Sequence, residues 1–149
     1  MIPVTRTTAL MISILVRLTG ALSGQSSLDQ YDTTRPITLN GMLFGMAALE
    51  SPRPVYLLVE VQDPAGKVER WAVEAKPMAE LRRFGWTPET LKGGETITVR
   101  AYPAKPGSAV ADTIPAPRRR ALETVFELAK QGRLLYGTEL TLDGRKLAL

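Results

Sequence analysis

"PVYLLVEVQDPAGKVERWAVE", residues 54–74, reads as two strands joined by one tight turn, and its register follows from the letters alone. The flanks are rich in the β-branched and aromatic residues that suit a pleated, half-buried surface. Between them Pro64 holds the second turn position and Gly66 the fourth, as in a type I turn closed by a left-handed glycine and a bulge. Pairing Asp63 with Lys67 sets Val59 opposite Trp71, Leu57 opposite Val73 and Val55 opposite Ala75 on one face. The other face then carries Glu60 against Arg70 and Tyr56 against Glu74. A slip of one residue would set Glu60 against Glu69 and mix the faces, so the bulged register is preferred. Both outward pairs are expected at the surface. That makes Glu60 and Glu74 ordinary neighbours of Arg70 and Tyr56 rather than a catalytic carboxylate pair.

Working outward, "PITLNGMLFGMAAL" (36–49) is a strand with Gly41 and Gly45 spaced for a sharp bend or bulge. After the hairpin, a short helix is expected from about Pro77 to Phe84, with Pro77 in its first turn and Gly85 at its end. Trp86 follows as a corner plug. "ETITVRAYP" (95–103) alternates, with Ile97 and Val99 inward and Thr96, Thr98 and Arg100 outward. "PAPRRRALETVFELAKQG" (115–132) is an amphipathic helix from about Pro117 to Gln131, its apolar stripe being Leu122, Val125, Phe126 and Ala129. "TELTLDGRKLAL" (138–149) closes as a hairpin around Asp143-Gly144. The whole reads as mainly β with small helices (α+β): a small five-stranded barrel with an added helix toward the C-terminal end.

A chain of 149 residues with 44% hydrophobic and 23% charged content fits one stable domain. It contains no cysteine and no histidine. Disulfides, thiolate nucleophiles, the commonest metal ligand and the usual near-neutral acid/base are excluded together. No catalytic residue, cofactor or metal site is expected. The formal charge is +4, but Arg6 and Arg17 supply half of it before residue 24. Arg118, Arg119, Arg120, Lys130 and Arg133 outweigh Glu123 and Glu127 near the second helix, leaving the barrel close to neutral. Nucleic acid is therefore an unexpected partner, because phosphate recognition draws on a positive surface.

The opening "MIPVTRTTALMISILVRLTGALSGQSS" has a positive residue at Arg6, an apolar run from Ala9 to Val16, and the small-x-small form at Ala21-Leu22-Ser23. This is the order of a signal peptide over 1–23, followed by a leader over 24–35 and the barrel domain over 36–149. The apolar run falls well short of the ~20 residues that span a bilayer. Export, with a periplasmic location and no transmembrane helix after signal removal, is the expectation.

Three stretches, "YDTTRPITLNG", "WAVEAKPMAELRRFGWTPETLKGGETITVRAYPAK" and "DGRKL", resemble an exported bacterial family catalogued only as a domain of unknown function, number 6152. The Trp71-Ala72-Val73-Glu74 strand, the Arg83-Phe84-Gly85-Trp86 corner and Leu91 before the glycine pair carry the resemblance. It implies a signal peptide and a five-stranded barrel of the oligonucleotide/oligosaccharide-binding (OB) type, with no established activity. Where relatives tend to read His-His-Ser-Phe, this chain has Gln25-Ser26-Ser27-Leu28, and where they tend to read Asn-Pro-His it has Ser51-Pro52-Arg53. The helix over 117–131 is an addition to the family pattern. A role for the relatives' histidines, such as metal binding, does not carry over.

Four arginines are the candidate ligand contacts. Arg53 sits between two prolines at a strand entrance, as either an anion hook or a solvated corner. Arg118, Arg119 and Arg120 stand at a helix start, where the macrodipole disfavours positive charge, and they could meet phosphate or an anionic surface. Trp71 and Trp86 read as core rather than as stacking platforms. The expected function is a non-enzymatic module of the envelope that contacts a partner protein or a small ligand. The alternative is a nucleic-acid or polyanion binder using the barrel face and the basic helix.

Overall fold

In the computed structural model the hairpin has the derived register. Val59 lies opposite Trp71, Leu57 opposite Val73, Glu60 opposite Arg70 and Tyr56 opposite Glu74, and Gly66 adopts φ 84°. The structure describes residues 28–48, 53–87, 90, 93–107, 114, 120 and 122–149. The hairpin strands are β2 (Pro54–Gln62) and β3 (Val68–Pro77), preceded by β1 (Ile37–Ala48). After β3 come α1 (Met78–Arg83), β4 (Thr96–Pro103), α2 (Glu123–Lys130), β5 (Leu134–Leu142) and β6 (Arg145–Ala148).

β1 is long enough to serve two neighbours: Ile37–Met42 pair with β4, and Met42–Ala48 pair with β2. The strand bends at a register shift between Leu43 and Gly45. A Cβ on Gly41 would stand 2.3 Å from the Glu60 carbonyl oxygen, so only glycine lets β1 cross so close to β2. β4 pairs antiparallel with β5, and β5 runs parallel to β3 through Ala72–Leu134, Val73–Leu135 and Glu74–Tyr136. The neighbour order is thus β3-β2-β1-β4-β5, closed by the β3–β5 pairing. This is the five-stranded closure and connectivity of an OB-like barrel. β6 pairs with β5 beyond the closed ring, turning at Asp143 and Gly144, both at positive φ.

Inside the barrel the alternate residues interlock: Leu39, Leu43, Val55, Leu57, Val59, Val73, Ile97, Val99, Leu135 and Leu140 are buried together. Each large aliphatic side chain there contributes roughly 1.5–3 kcal/mol by leaving water. Leu81 of α1 and Trp86 complete this core, and the Trp86 indole N–H donates to the Ala148 carbonyl at 3.0 Å. Trp86 is the expected corner plug. Trp71 is only partly buried against the same core.

A second core lies outside the barrel, between its wall and α2. It gathers Tyr31, Tyr56, Ala72, Ile114, Leu122, Val125, Leu128 and Leu134. Two expectations are corrected here. The helix begins at Glu123 rather than near Pro117, since Arg120 and Leu122 are not helical. Helical geometry starts at the first acid after the arginine run, as the positive N-terminal end of the helix dipole favours. The inner stripe runs through Val125 and Leu128, whereas Phe126 and Ala129 are half-buried at its border, with the Lys130 ammonium 5.0 Å from the Phe126 ring centre. The second correction concerns Tyr56 and Glu74, which are buried rather than at the surface. α2 needed an apolar surface to rest on, and it took the outer side of β3 and β5. Among the described residues no helix is long and apolar enough to cross a membrane.

Candidate binding face

The outward residues of β1, β2 and β3 form rows that run across the strands. The row nearest the hairpin turn is Met42–Glu60–Arg70. The Arg70 guanidinium donates from Nε to the Glu60 carboxylate at 3.0 Å, and Nη2 lies 3.0 Å from the same oxygen. It also stacks 4.9 Å above the ring of Phe44, which the β1 bulge turns outward. Met42 and Val68 are exposed beside it. Together with Asn40, Gln62 and Thr96 they line a hollow of about 340 Å³. The lining is mixed, with the apolar Met42 and Val68 beside the polar Asn40, Glu60, Gln62 and Thr96. Glu60, part of that lining, is already matched by the Arg70 guanidinium.

Two rows further on, the same face is closed. Here Ala47, Tyr56, Glu74, Tyr136 and Tyr102 follow one another through the pairings of β1, β2, β3, β5 and β4. The chain has four tyrosines, and the fourth, Tyr31, lies over this row. The Tyr31 hydroxyl donates to Glu74 Oε2 at 3.0 Å, and its ring sits 5.4 Å from that of Tyr136. Tyr136 in turn stacks on Tyr102 at 6.5 Å. Tyr31 is fastened by main-chain pairing: it bridges Ala104, Asp32 N–H donates to Pro103, and Lys105 N–H donates to Gln30. Glu74 is only 3% exposed, and a buried carboxylate requires such hydrogen-bond donors to persist.

The electrostatics follow the burial. The Tyr56 phenol is pushed up from its ordinary value, first by burial and then by the negative charge of Glu74, with Arg53 pulling it part of the way back. The Tyr136 phenol is raised by burial, then by Glu74, Glu80 and Tyr102. At the edge of this region Asp32 is held below the usual carboxylate range by hydrogen bonds from the Thr34 hydroxyl and backbone N–H.

The four candidate arginines divide. Arg53 is half-buried just before β2, and its charge is felt at Tyr56, so it borders the closed half of the face rather than the open hollow. Arg120 is exposed and shares a groove of about 290 Å³ with Ala47, Leu58 and the start of α2. Both described arginines thus flank the Tyr56 row from different segments. Arg118 and Arg119 lie outside the described residues. Sequence reading missed Tyr31 as a partner of Glu74. The signal available was α2 itself, whose apolar stripe demanded a surface, and the Tyr56–Glu74 row was the aromatic one on offer.

Comparison with known proteins places part of this geometry in context. The family described as "Family of unknown function (DUF6152)" matches residues 14–112, which takes in β1 to β4 and stops before α2. No curated protein matches the sequence significantly. Among solved structures, the mitochondrial single-stranded DNA-binding protein Rim1 of S. cerevisiae is similar, with 11% identity and a TM-score of 0.44 over 73% of this chain and 93% of that one. That likeness says nothing of what this chain binds.

Proposed function

This protein belongs to the DUF6152 family of unknown function, and from that premise we propose that it is an exported, non-enzymatic binding module whose open barrel face holds a partner protein or a small ligand. The observation that carries the reading is the hollow that exposes Met42 and Val68 among polar side chains, flanked by an Arg70–Glu60 pair. Exposed apolar side chains set among polar groups in a concave surface suit protein and small-molecule recognition. A catalytic reading draws no support from the side chains at hand. Glu74 is enclosed, and histidine and cysteine are absent from the sequence. Export rests on the order Arg6, apolar run, Ala21-x-Ser23. N-terminal sequencing of protein from its own host is expected to begin near Gly24, and an intact Met1 on cytoplasmic protein would contradict it.

Photo-crosslinking tests the binding reading. A benzophenone amino acid placed at Met42 is expected to give discrete adducts in an envelope fraction, lost when Phe44 is changed to Ser. Identical adduct patterns from an exposed site on α2 would overturn it. The second reading, a polyanion binder, draws on exposed Arg120 beside Ala47 and Leu58 and on the neighbouring arginines in sequence. Against it, the aromatic row of the face, whose rings could stack on bases, is covered by Tyr31 and α2, and Arg70 is paired with Glu60. Oligothymidylate binding that weakens steeply with salt and is lost on Arg120→Glu would favour this second reading over the first.

A further inference from the structure

Building on the reading of the open half as a binding surface, we propose that the free edge of β3 beside α2 takes up an extended polypeptide segment bearing a lysine or arginine, which joins the barrel as an added strand. The argument starts from the direction of main-chain groups. Asp63 N–H donates to the Lys67 carbonyl at 2.8 Å, which fixes the alternation along the hairpin. Glu69, Trp71 and Val73 therefore turn their N–H and C=O groups toward β2, and Val68, Arg70, Ala72 and Glu74 turn theirs away. On that far side Ala72 N–H donates to the Arg133 carbonyl at 2.9 Å, where β5 begins to run alongside.

Upstream of this point the chain leaves the edge. Residues Gln131 and Gly132 turn it up into α2, and no described residue bonds the main chain of Val68 or Arg70 on the far side. Two N–H and two C=O groups are thus left facing a groove of about 650 Å³ between β3 and α2. An exposed strand edge of this kind is a template for another strand. The nearby helix and the outward Arg70 restrict what can approach, which favours a single extended segment over a second sheet.

The charges of the groove name the chemistry of that segment. Arg70 is bonded to Glu60, Arg133 lies 3.9 Å from Glu69, and Glu127 lies 2.7 Å from Lys130. Glu123 also lines the groove, and no described cation stands within ion-pair distance of it. Among the described residues, Glu123 is thus the groove carboxylate that a cation of an added segment could meet. Val68, 53% exposed, offers an apolar contact in the same groove.

The test uses an acetylated, amidated octapeptide of alternating valine and lysine, titrated into the isotope-labelled full chain and followed by amide NMR and hydrogen exchange. The expected result is saturable binding that shifts the Val68 and Arg70 amides and slows their exchange by about tenfold or more. Glu123→Lys is expected to weaken this peptide about tenfold and to strengthen the version with glutamate in place of lysine. Binding that shifts Met42 and Phe44 but leaves the Val68 and Arg70 amides unchanged would overturn strand addition while the wider binding reading stands. Absence of saturable shifts at millimolar peptide would overturn it too, and the Met42 crosslink then decides the wider reading on its own.

Discussion

Two ends of one sheet surface have opposite fates in this protein. Near the hairpin turn, the outer face of β2 and β3 presents Glu60, Arg70 and Val68 to solvent. Four residues along each strand, the same face presents Tyr56 and Glu74 to a second core. The two pairs look alike on paper: each sets a glutamate across from a larger side chain in the same register. What separates them is the segment laid on top. Tyr31, Ile114 and α2 cover one pair and leave the other uncovered. Strand pattern alone says which way a side chain points. It does not say whether solvent or protein lies there.

The largest expected effect contrasts apolar side chains from the two halves. Leu128→Ala, under the cover, is expected to cost about 3 kcal/mol, since a leucine is removed from a packed site. Val68→Ala, on the open half, should stay within about 0.5 kcal/mol. Urea denaturation of both variants checks the pair, and equal losses would erase the distinction between the halves. Next come the two glutamates. Glu74→Ala leaves the Tyr31 hydroxyl without its acceptor in a buried site, at a cost of about 2–3 kcal/mol. Glu60→Ala breaks a solvent-exposed ion pair with Arg70 and should cost less than about 1 kcal/mol.

Alkaline titration separates the halves in another way. The folded state holds the Tyr56 and Tyr136 phenols above their ordinary values, so their contribution to stability is complete below the unfolded-state value of about 10. As pH rises past that point the unfolded chain loses phenolic protons first, and stability falls. Stability is expected to be flat from neutral to mildly alkaline pH and to decline above about 10, less steeply in Tyr56→Phe. An unchanged slope in that variant would show that the phenol is not enclosed. A smaller effect belongs to the boundary: Phe126→Ala is expected to cost about 1 kcal/mol, because the ring is half-buried at the edge of the cover.

The legible parts of the structure are those set by local chemistry. Pro64 and Gly66 dictate one turn, and that turn dictates every pairing in the hairpin. Gly41 and Gly45 announced the bend in β1, and Asp143-Gly144 announced the last turn. The burial of Glu74 depends instead on contacts 43 residues apart with Tyr31 and on a helix from yet another segment. No local periodicity encodes such a meeting. The helix start differs from expectation for a related reason: Pro117 reads as a first-turn residue in the sequence, but the dipole favours a first turn at Glu123, beyond the arginine run. In the sequence the four candidate arginines stand out by charge alone. Only the assembled face separates Arg53, beside the closed half, from Arg70, which the sequence had presented as no more than a surface neighbour of Glu60.

Native-state hydrogen exchange along β3 tests the division of the face most directly. The Ala72 amide, bonded to the Arg133 carbonyl, is expected to exchange only with near-global opening, as is Glu74 beneath the second core. The Val68 and Arg70 amides, on the same side of the same strand, are expected to exchange far faster, close to the rate of an open chain. Uniform protection from Val68 to Glu74 would mean that the whole edge is covered, and would contradict the free edge on which strand addition rests.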